Sequence, residues 1–140
     1  MAKHFAELNS DNKVINVVVM GDDATESSVA SFYNNGNTYK EYKLDDSSFR
    51  LRPAVIGGAY DATNNVFTDE KPFDSWTLNT STHSWEAPTA EPSWDSSTHF
   101  VQWDETNTRW LRDEVGSDGH FKDPRVQSYW NSTNSTWVSI

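Results

Sequence analysis

Apolar residues follow two different rhythms along this chain. Near the start they come in runs, Phe5-Ala6-Glu7-Leu8 and then Val14-Ile15-Asn16-Val17-Val18-Val19-Met20. Two such runs, parted by a turn-forming stretch, predict a hairpin, and the second is apolar enough to be a central strand buried on both faces. Asp23-Ala24-Thr25-Glu26 has the form of a capping box. Val29, Phe32 and Tyr33 follow at helical spacing, and Asn35-Gly36 supplies a stop, so one helix of about ten residues is expected there. Tyr39 to Leu44 alternates loosely, and Phe49 to Ile56 is a further strand candidate before Gly57-Gly58.

Beyond residue 59 the rhythm becomes an eight-residue repeat. Tyr60-Asp61-Ala62-Thr63-Asn64-Asn65-Val66-Phe67, Trp103-Asp104-Glu105-Thr106-Asn107-Thr108-Arg109-Trp110 and Trp130-Asn131-Ser132-Thr133-Asn134-Ser135-Thr136-Trp137 share one template. It reads aromatic, Asp or Asn, any residue, Thr, Asn, two variable residues, aromatic. Leu78 to Trp85 fits with Leu opening and Thr82 in place of Asn, and Leu8 to Ile15 fits with aliphatic ends. An Asp or Asn opening a turn accepts a backbone N–H two residues on, while an Asn later in the turn tolerates the left-handed conformation that closes a hairpin. A four-residue loop at Glu105 to Thr108 then sets Asp104 against Arg109 and Trp103 against Trp110. Such aromatic pairs contribute about 0.5 to 1.5 kcal/mol beyond area burial, and the Asp104–Arg109 pair, expected to be exposed, about 0 to 1 kcal/mol.

Lys71-Pro72-Phe73, Ala87-Pro88-Thr89-Ala90-Glu91-Pro92 and Gly116-Ser117-Asp118-Gly119 punctuate the repeats as connectors. The expected fold is mainly β (α+β): an N-terminal α+β lobe over residues 1–58, then a meander of aromatic-paired hairpins over 59–140.

Composition sharpens this picture. Only 35% of residues are hydrophobic but 14% are aromatic, so large rings must be the main packing units. Seven Trp, seven Phe and five Tyr also argue against disorder, despite a net charge of -10. That charge disfavours nucleic acid and anionic membranes, both of which need clustered Lys and Arg. With no Cys, neither disulfides nor thiolate metal sites are available. No apolar run is long enough for a signal peptide or a membrane span, so synthesis in a cytosol is expected, and the sequons at Asn79, Asn131 and Asn134 read as turn residues.

Little in the chain announces catalysis. His4, His83, His99 and His120 are scattered; His99 reads as a strand residue and His83 as part of a hairpin turn. Asp45-Asp46, Asp104-Glu105 and Asp113-Glu114 are adjacent acids, a poor match to the two separated carboxyl groups of a glycosidase. The turns also lack the regular ligand ladder of a calcium loop. The expectation is therefore a non-enzyme with no catalytic residues, metal or cofactor. The aromatic residues carry what functional signal there is, and the candidates for binding or interface roles are Trp76, Trp85, Trp94, Trp103, Trp110, Trp130 and Trp137. The plainer reading makes each pair the core of its own hairpin; the functional one has exposed rings stacking on a sugar or anchoring a protein. Isolated hairpins are marginal in water, so a polar string of them implies support from another subunit.

The opening Met1-Ala2-Lys3-His4-Phe5-Ala6-Glu7-Leu8, the apolar Val14 to Val19, and the block Tyr60-Asp61, Phe67, Lys71-Pro72-Phe73, Ser75-Trp76-Thr77-Leu78, Trp85-Glu86-Ala87-Pro88 carry a resemblance. Over about two thirds of its length the chain resembles the short acidic virion-associated proteins of tailed marine phages, cyanophages among them. The hairpin after Trp110 departs from that pattern. The resemblance implies a virion structural protein, most simply a capsid decoration, otherwise a tail or tail-fibre component. Its implied partners are other virion proteins or copies of itself. A carbohydrate-binding module for host surface glycans is the alternative, and a small hydrolase ranks last.

Overall fold

The structure, a computed structural model, describes residues 2–140 and is mainly β, with 39% of residues in strands and 6% in helix. The elements in order are β1 (Lys3–Leu8), β2 (Val14–Met20), α1 (Glu26–Tyr33), β3 (Thr38–Tyr42), β4 (Ala59–Asp61), β5 (Val66–Thr68), β6 (Thr77–Asn79), β7 (Ser84–Glu86), β8 (His99–Asp104), β9 (Arg109–Glu114), β10 (Gln127–Asn131) and β11 (Thr136–Ser139). They divide into two compact units, Met1–Pro72 with Leu78–Trp85, and Phe73–Thr77 with Glu86–Ile140.

In the first unit, β1 is central in a three-stranded antiparallel sheet of order β2-β1-β3. The expectation that β2 is central is overturned: its residues Ile15, Asn16 and Val19 are exposed, whereas Phe5, Ala6 and Leu8 of β1 are at 0%. Strand alternation sends Phe5 toward one layer and Ala6 toward the other. Phe5 packs with Ala24, Val29 and Tyr39 on the helix side, joined by Val18 and Met20. Ala6 and Leu8 pack with Val14, Tyr42, Ala54, Tyr60 and Phe67 on the other. Tyr60 and Phe67 belong to the β4–β5 hairpin, so the first aromatic repeat completes this core and the unit runs well past residue 58.

Three local expectations give way. The helix is capped by Thr25 with Ser28 closing the box, two residues later than Asp23 and Glu26 would place it. Glu26 is thereby freed to bond the β3 backbone and Arg50. Only Val29 of the apolar helix positions is buried; Phe32 is 71% exposed. Residues 49–56 form no strand, because Arg50 and Leu51 take left-handed φ of 52° and 73° and turn the chain. Further on, Gly58 lies so close to Thr68 that a Cβ would sit 2.4 Å from its carbonyl oxygen, which reserves the position for glycine.

The β1–β2 turn also departs from the eight-residue template. Leu8 pairs with Val14 rather than Ile15, with a register shift after Glu7 and Asn12 at φ 59°. Ile15 is the extra residue of a bulge. The β6–β7 hairpin is held by Trp85, whose Nε1 donates to the Asp69 carbonyl at 2.8 Å, and by Arg52, which donates to the Thr82 carbonyl.

The second unit is a four-stranded antiparallel sheet of order β11-β10-β9-β8. Its core is tryptophan.

Candidate functional site

The repeat turns position the site. In β8–β9, Trp103 pairs with Trp110 and Asp104 with Arg109; in β10–β11, Trp130 pairs with Trp137; in β4–β5, Tyr60 pairs with Phe67. The ring centroids are 5.2, 5.3 and 5.2 Å apart, respectively; the two Trp pairs meet edge to face, the geometry that aromatic quadrupoles favour, while Tyr60 and Phe67 are tilted at 57°. Three of the turns are built the same way, while in β8–β9 Asp104 accepts the fifth-residue N–H of Asn107. The second-position oxygen accepts backbone N–H groups from the fourth and fifth residues in the units opened by Asp61, Asn79 and Asn131.

The template Asn is the left-handed residue at Asn12 of the β1–β2 turn, but not in the four hairpins that follow residue 59. There it is the sixth residue: Asn65, His83, Thr108 and Ser135, with φ between 48° and 57°. The fifth-position Asn is a side-chain ligand instead, Asn64 Nδ2 reaching Asp61 Oδ2 at 2.7 Å and Asn107 Nδ2 reaching Asp104 Oδ2 at 2.8 Å. These bonds hold the Asp61 carboxyl below the usual carboxylate range, the Asn64 side chain being the main cause. At Asp104 burial pushes the carboxyl up, but Asn107 and Arg109 together outweigh it and the net displacement is downward. The Asp104–Arg109 pair is less exposed than expected, the Asp104 side chain retaining 14% of its accessible surface.

Alternation along the strands sets Trp103, Trp110 and Arg112 on one face; Arg112 pairs with Ser128, so Trp130 and its partner Trp137 extend the same row across all four strands. Trp103 and Trp110 are buried at 8% and 7%, and Val101 beside them at 7%. Trp76, Trp94 and Ala87 pack onto this row, with Trp76 6.1 Å from Trp103 and 6.0 Å from Trp110. Glu105, the residue the template leaves unspecified, locks the arrangement. Its carboxylate accepts the Trp103 indole N–H at 2.8 Å and the backbone N–H and hydroxyl of Ser75 at 2.9 and 2.8 Å. The Trp110 indole N–H donates to the Thr89 carbonyl at 2.8 Å.

Of the seven tryptophans singled out from sequence, six gather in this cluster and Trp85 lies in the first unit. Trp103 and Trp110 are too buried to stack on a ligand. Trp130 and Trp137 are half-buried, and the Arg112 guanidinium lies 4.6 Å from the Trp137 ring centre. The opposite face carries Arg109 over Tyr129 at 4.4 Å, and Asp113, fully buried, bonded to Arg125. Sequence reasoning gave no packing or bonding role to Glu105, Ser75, Arg112 or Arg125. It also missed a clipped copy of the turn at Trp94-Asp95-Ser96-Ser97, where Asp95 accepts from the Ser97 N–H and hydroxyl. Only that last one had a readable signal, the repeated Trp-Asp-x-Ser/Thr opening. Among the described residues no cluster of His, Asp and Glu could hold a metal ion. No family model, curated protein or solved structure matches the chain.

Proposed function

We propose that this chain is a non-enzymatic structural protein of a phage virion, decorating the capsid exterior. What supports the reading is where the resembling motif falls. Ser75, Trp76 and Ala87, from the Pro-Phe-x-Ser-Trp-x-Leu and Trp-x-Ala-Pro patterns, are the residues that cover the Trp103–Trp110 pair and bond Glu105. The shared sequence thus builds a scaffold rather than presenting reactive groups, and a scaffold role is what carries over. The acidic, Cys-free surface suits a particle exterior. Mass spectrometry of purified virions tests the proposal: this chain is expected as a multi-copy component, and its absence from the particle rejects the assignment. Imaging of labelled particles separates head from tail or fibre.

A second reading has one observation in its favour, the half-buried Trp130 and Trp137 at the end of the aromatic row. Rings in that position can stack on a host surface glycan. Tryptophan fluorescence should then shift on titration with host envelope polysaccharide, and a flat titration removes this reading.

A further inference from the structure

Residues 34–37 carry the chain from the end of α1 into β3. Asn34 closes the helix in a left-handed conformation at φ 47°, its N–H donating to the Ala30 carbonyl. Asn35 then reaches back to the sheet. Its Nδ2 donates to Glu7 Oε2 of β1 and to the Tyr39 hydroxyl of β3, both at 3.1 Å, while its Oδ1 accepts the Asn37 N–H at 3.1 Å. Asn37 Nδ2 donates to the same Glu7 oxygen at 2.6 Å. Glu7 is 8% exposed and lies opposite Tyr39 in the strand register. These two amides are neutral, so this oxygen of a buried carboxylate is held by donors rather than by a countercharge.

One of those donors is chemically vulnerable. Asn35 is the only asparagine of the chain that glycine follows. An asparagine loses its side-chain amide when the next backbone nitrogen attacks Cγ, a reaction helped by close approach and by a donor already aimed at the oxygen that becomes negative. Gly36 has no Cβ to crowd that approach; it takes φ 82°, and a Cβ built on it would meet nothing within 4 Å. The Asn37 N–H is bonded to Oδ1, where the negative charge develops. Asn35 is exposed, so water reaches it. Asn9, Asn79 and Asn131 make the same bond to the N–H two residues on, but Ser10, Thr80 and Ser132 follow them. They are internal controls for the missing Cβ.

We infer that Asn35 is a self-modification site: the Gly36 nitrogen closes on Asn35 Cγ, and the carboxylate that results, facing buried Glu7, unfastens the turn between α1 and β3. The new N–Cγ bond forms and the Cγ–Nδ2 bond breaks. The Gly36 N–H proton passes through solvent water to the leaving nitrogen, which departs as ammonia and leaves a cyclic imide. Water then adds to either imide carbonyl and that carbonyl's bond to nitrogen breaks, giving aspartate or isoaspartate. One water is consumed, one ammonia is released, and one negative charge is gained. Glu7 then loses a donor and meets a like charge in its place, an arrangement in which two carboxylates resist being ionised together. Isoaspartate also inserts a methylene into the backbone ahead of Gly36, which shifts Asn37 and its bond to Glu7. The inference stands apart from the virion assignment, since it concerns bonds within the purified chain.

Incubation of the folded full-length chain in mildly alkaline buffer tests it. Peptide mapping by mass spectrometry, with enzymatic methylation to count isoaspartate, should show conversion at residue 35 about tenfold or more ahead of Asn9, Asn79 and Asn131. Equal conversion at those three overturns the inference. So does an intact Asn35 in the folded chain over a period in which the urea-unfolded chain converts it. The structural consequence is read on Asn35→Asp made directly, whose urea midpoint should fall while amide exchange in β3 and the last turn of α1 quickens. The same substitution in a Glu7→Gln background should cost little, because the amide at position 7 carries no charge and can donate. If Asn35→Asp alone does not fold, recovery of folding in the Glu7→Gln background gives the same support. A midpoint that Asn35→Asp leaves unchanged, or a loss that Glu7→Gln does not relieve, overturns it.

Discussion

Truncating Trp103 is the sharpest probe of what holds the second unit together. The side chain is 8% exposed, faces Trp110 at 5.2 Å and Trp76 at 6.1 Å, and donates its indole N–H to Glu105. A buried Trp removes about 150 to 250 Å² from water, which at about 25 cal/mol per Å² bounds the loss at about 4 to 6 kcal/mol. Truncations of large buried aromatics cost about 3 to 5 kcal/mol, and Trp103→Ala is expected in that range. Glu105 keeps two hydrogen bonds from Ser75, so no unpaired carboxylate adds to that loss. Trp103→Phe keeps a ring against Trp110 but deletes the bond to a carboxylate, for an expected cost of about 2 kcal/mol. Trp137→Ala, at the half-buried end of the same row, should cost about half as much as Trp103→Ala. Since the chain divides into two units, a global midpoint averages over both; amide exchange resolved to β8 and β9 under urea reads the loss where it falls. Should Trp103→Ala cost under about 1 kcal/mol, or no more than Trp137→Ala, the aromatic row is not the core and the reasoning fails.

Thr108 holds a β-branched side chain at φ 48°, so Thr108→Gly should stabilise the β8–β9 hairpin by about 1 kcal/mol, read as a higher urea midpoint. At Glu26, burial pushes the carboxyl up, but the bonds from Arg50 and the Glu41 N–H and the charges of Arg50 and Lys40 outweigh it and hold it below its ordinary 4.5. The folded state therefore stays ionised where the unfolded chain is already protonated. The stabilisation is complete above the unfolded value and is lost as pH falls through the lower folded one. The stability gap between wild type and Glu26→Gln should accordingly shrink in urea titrations taken from about pH 6 down to pH 3. Asp113 is at 0% exposure while its partner Arg125 retains 48%, with contacts of 2.7 and 2.8 Å. Arg125→Ala strands a buried carboxylate and should cost about 3 to 5 kcal/mol, whereas Asp113→Asn, which leaves an arginine able to reach water, should cost clearly less in thermal melts.

The sequence by itself determined the hairpins, because every interaction that sets their register lies within eight residues. A second-position Asp or Asn bonding the next turn residues sets Trp103 opposite Trp110 and Trp130 opposite Trp137. Even there the left-handed residue falls on the template Asn only at Asn12. The template Asn looks suited to it, but in two turns its amide is committed to the Asp carboxylate, and the strained conformation passes to the variable residue that follows. What only tertiary structure decided is which strand lies between which. The apolar run in β2 looks central, yet centrality depends on partners at both edges, and β3 and β2 both pair with β1. Glu26 was legible as a helix cap and serves instead as a clamp on β3, fifteen residues away in sequence, a bond that no local pattern encodes. The same holds for the candidate site: local turn chemistry aligned each tryptophan pair, but Trp76, Trp94 and Ser75 reach that row through long-range packing, which alone decides which rings are buried and which remain at the surface.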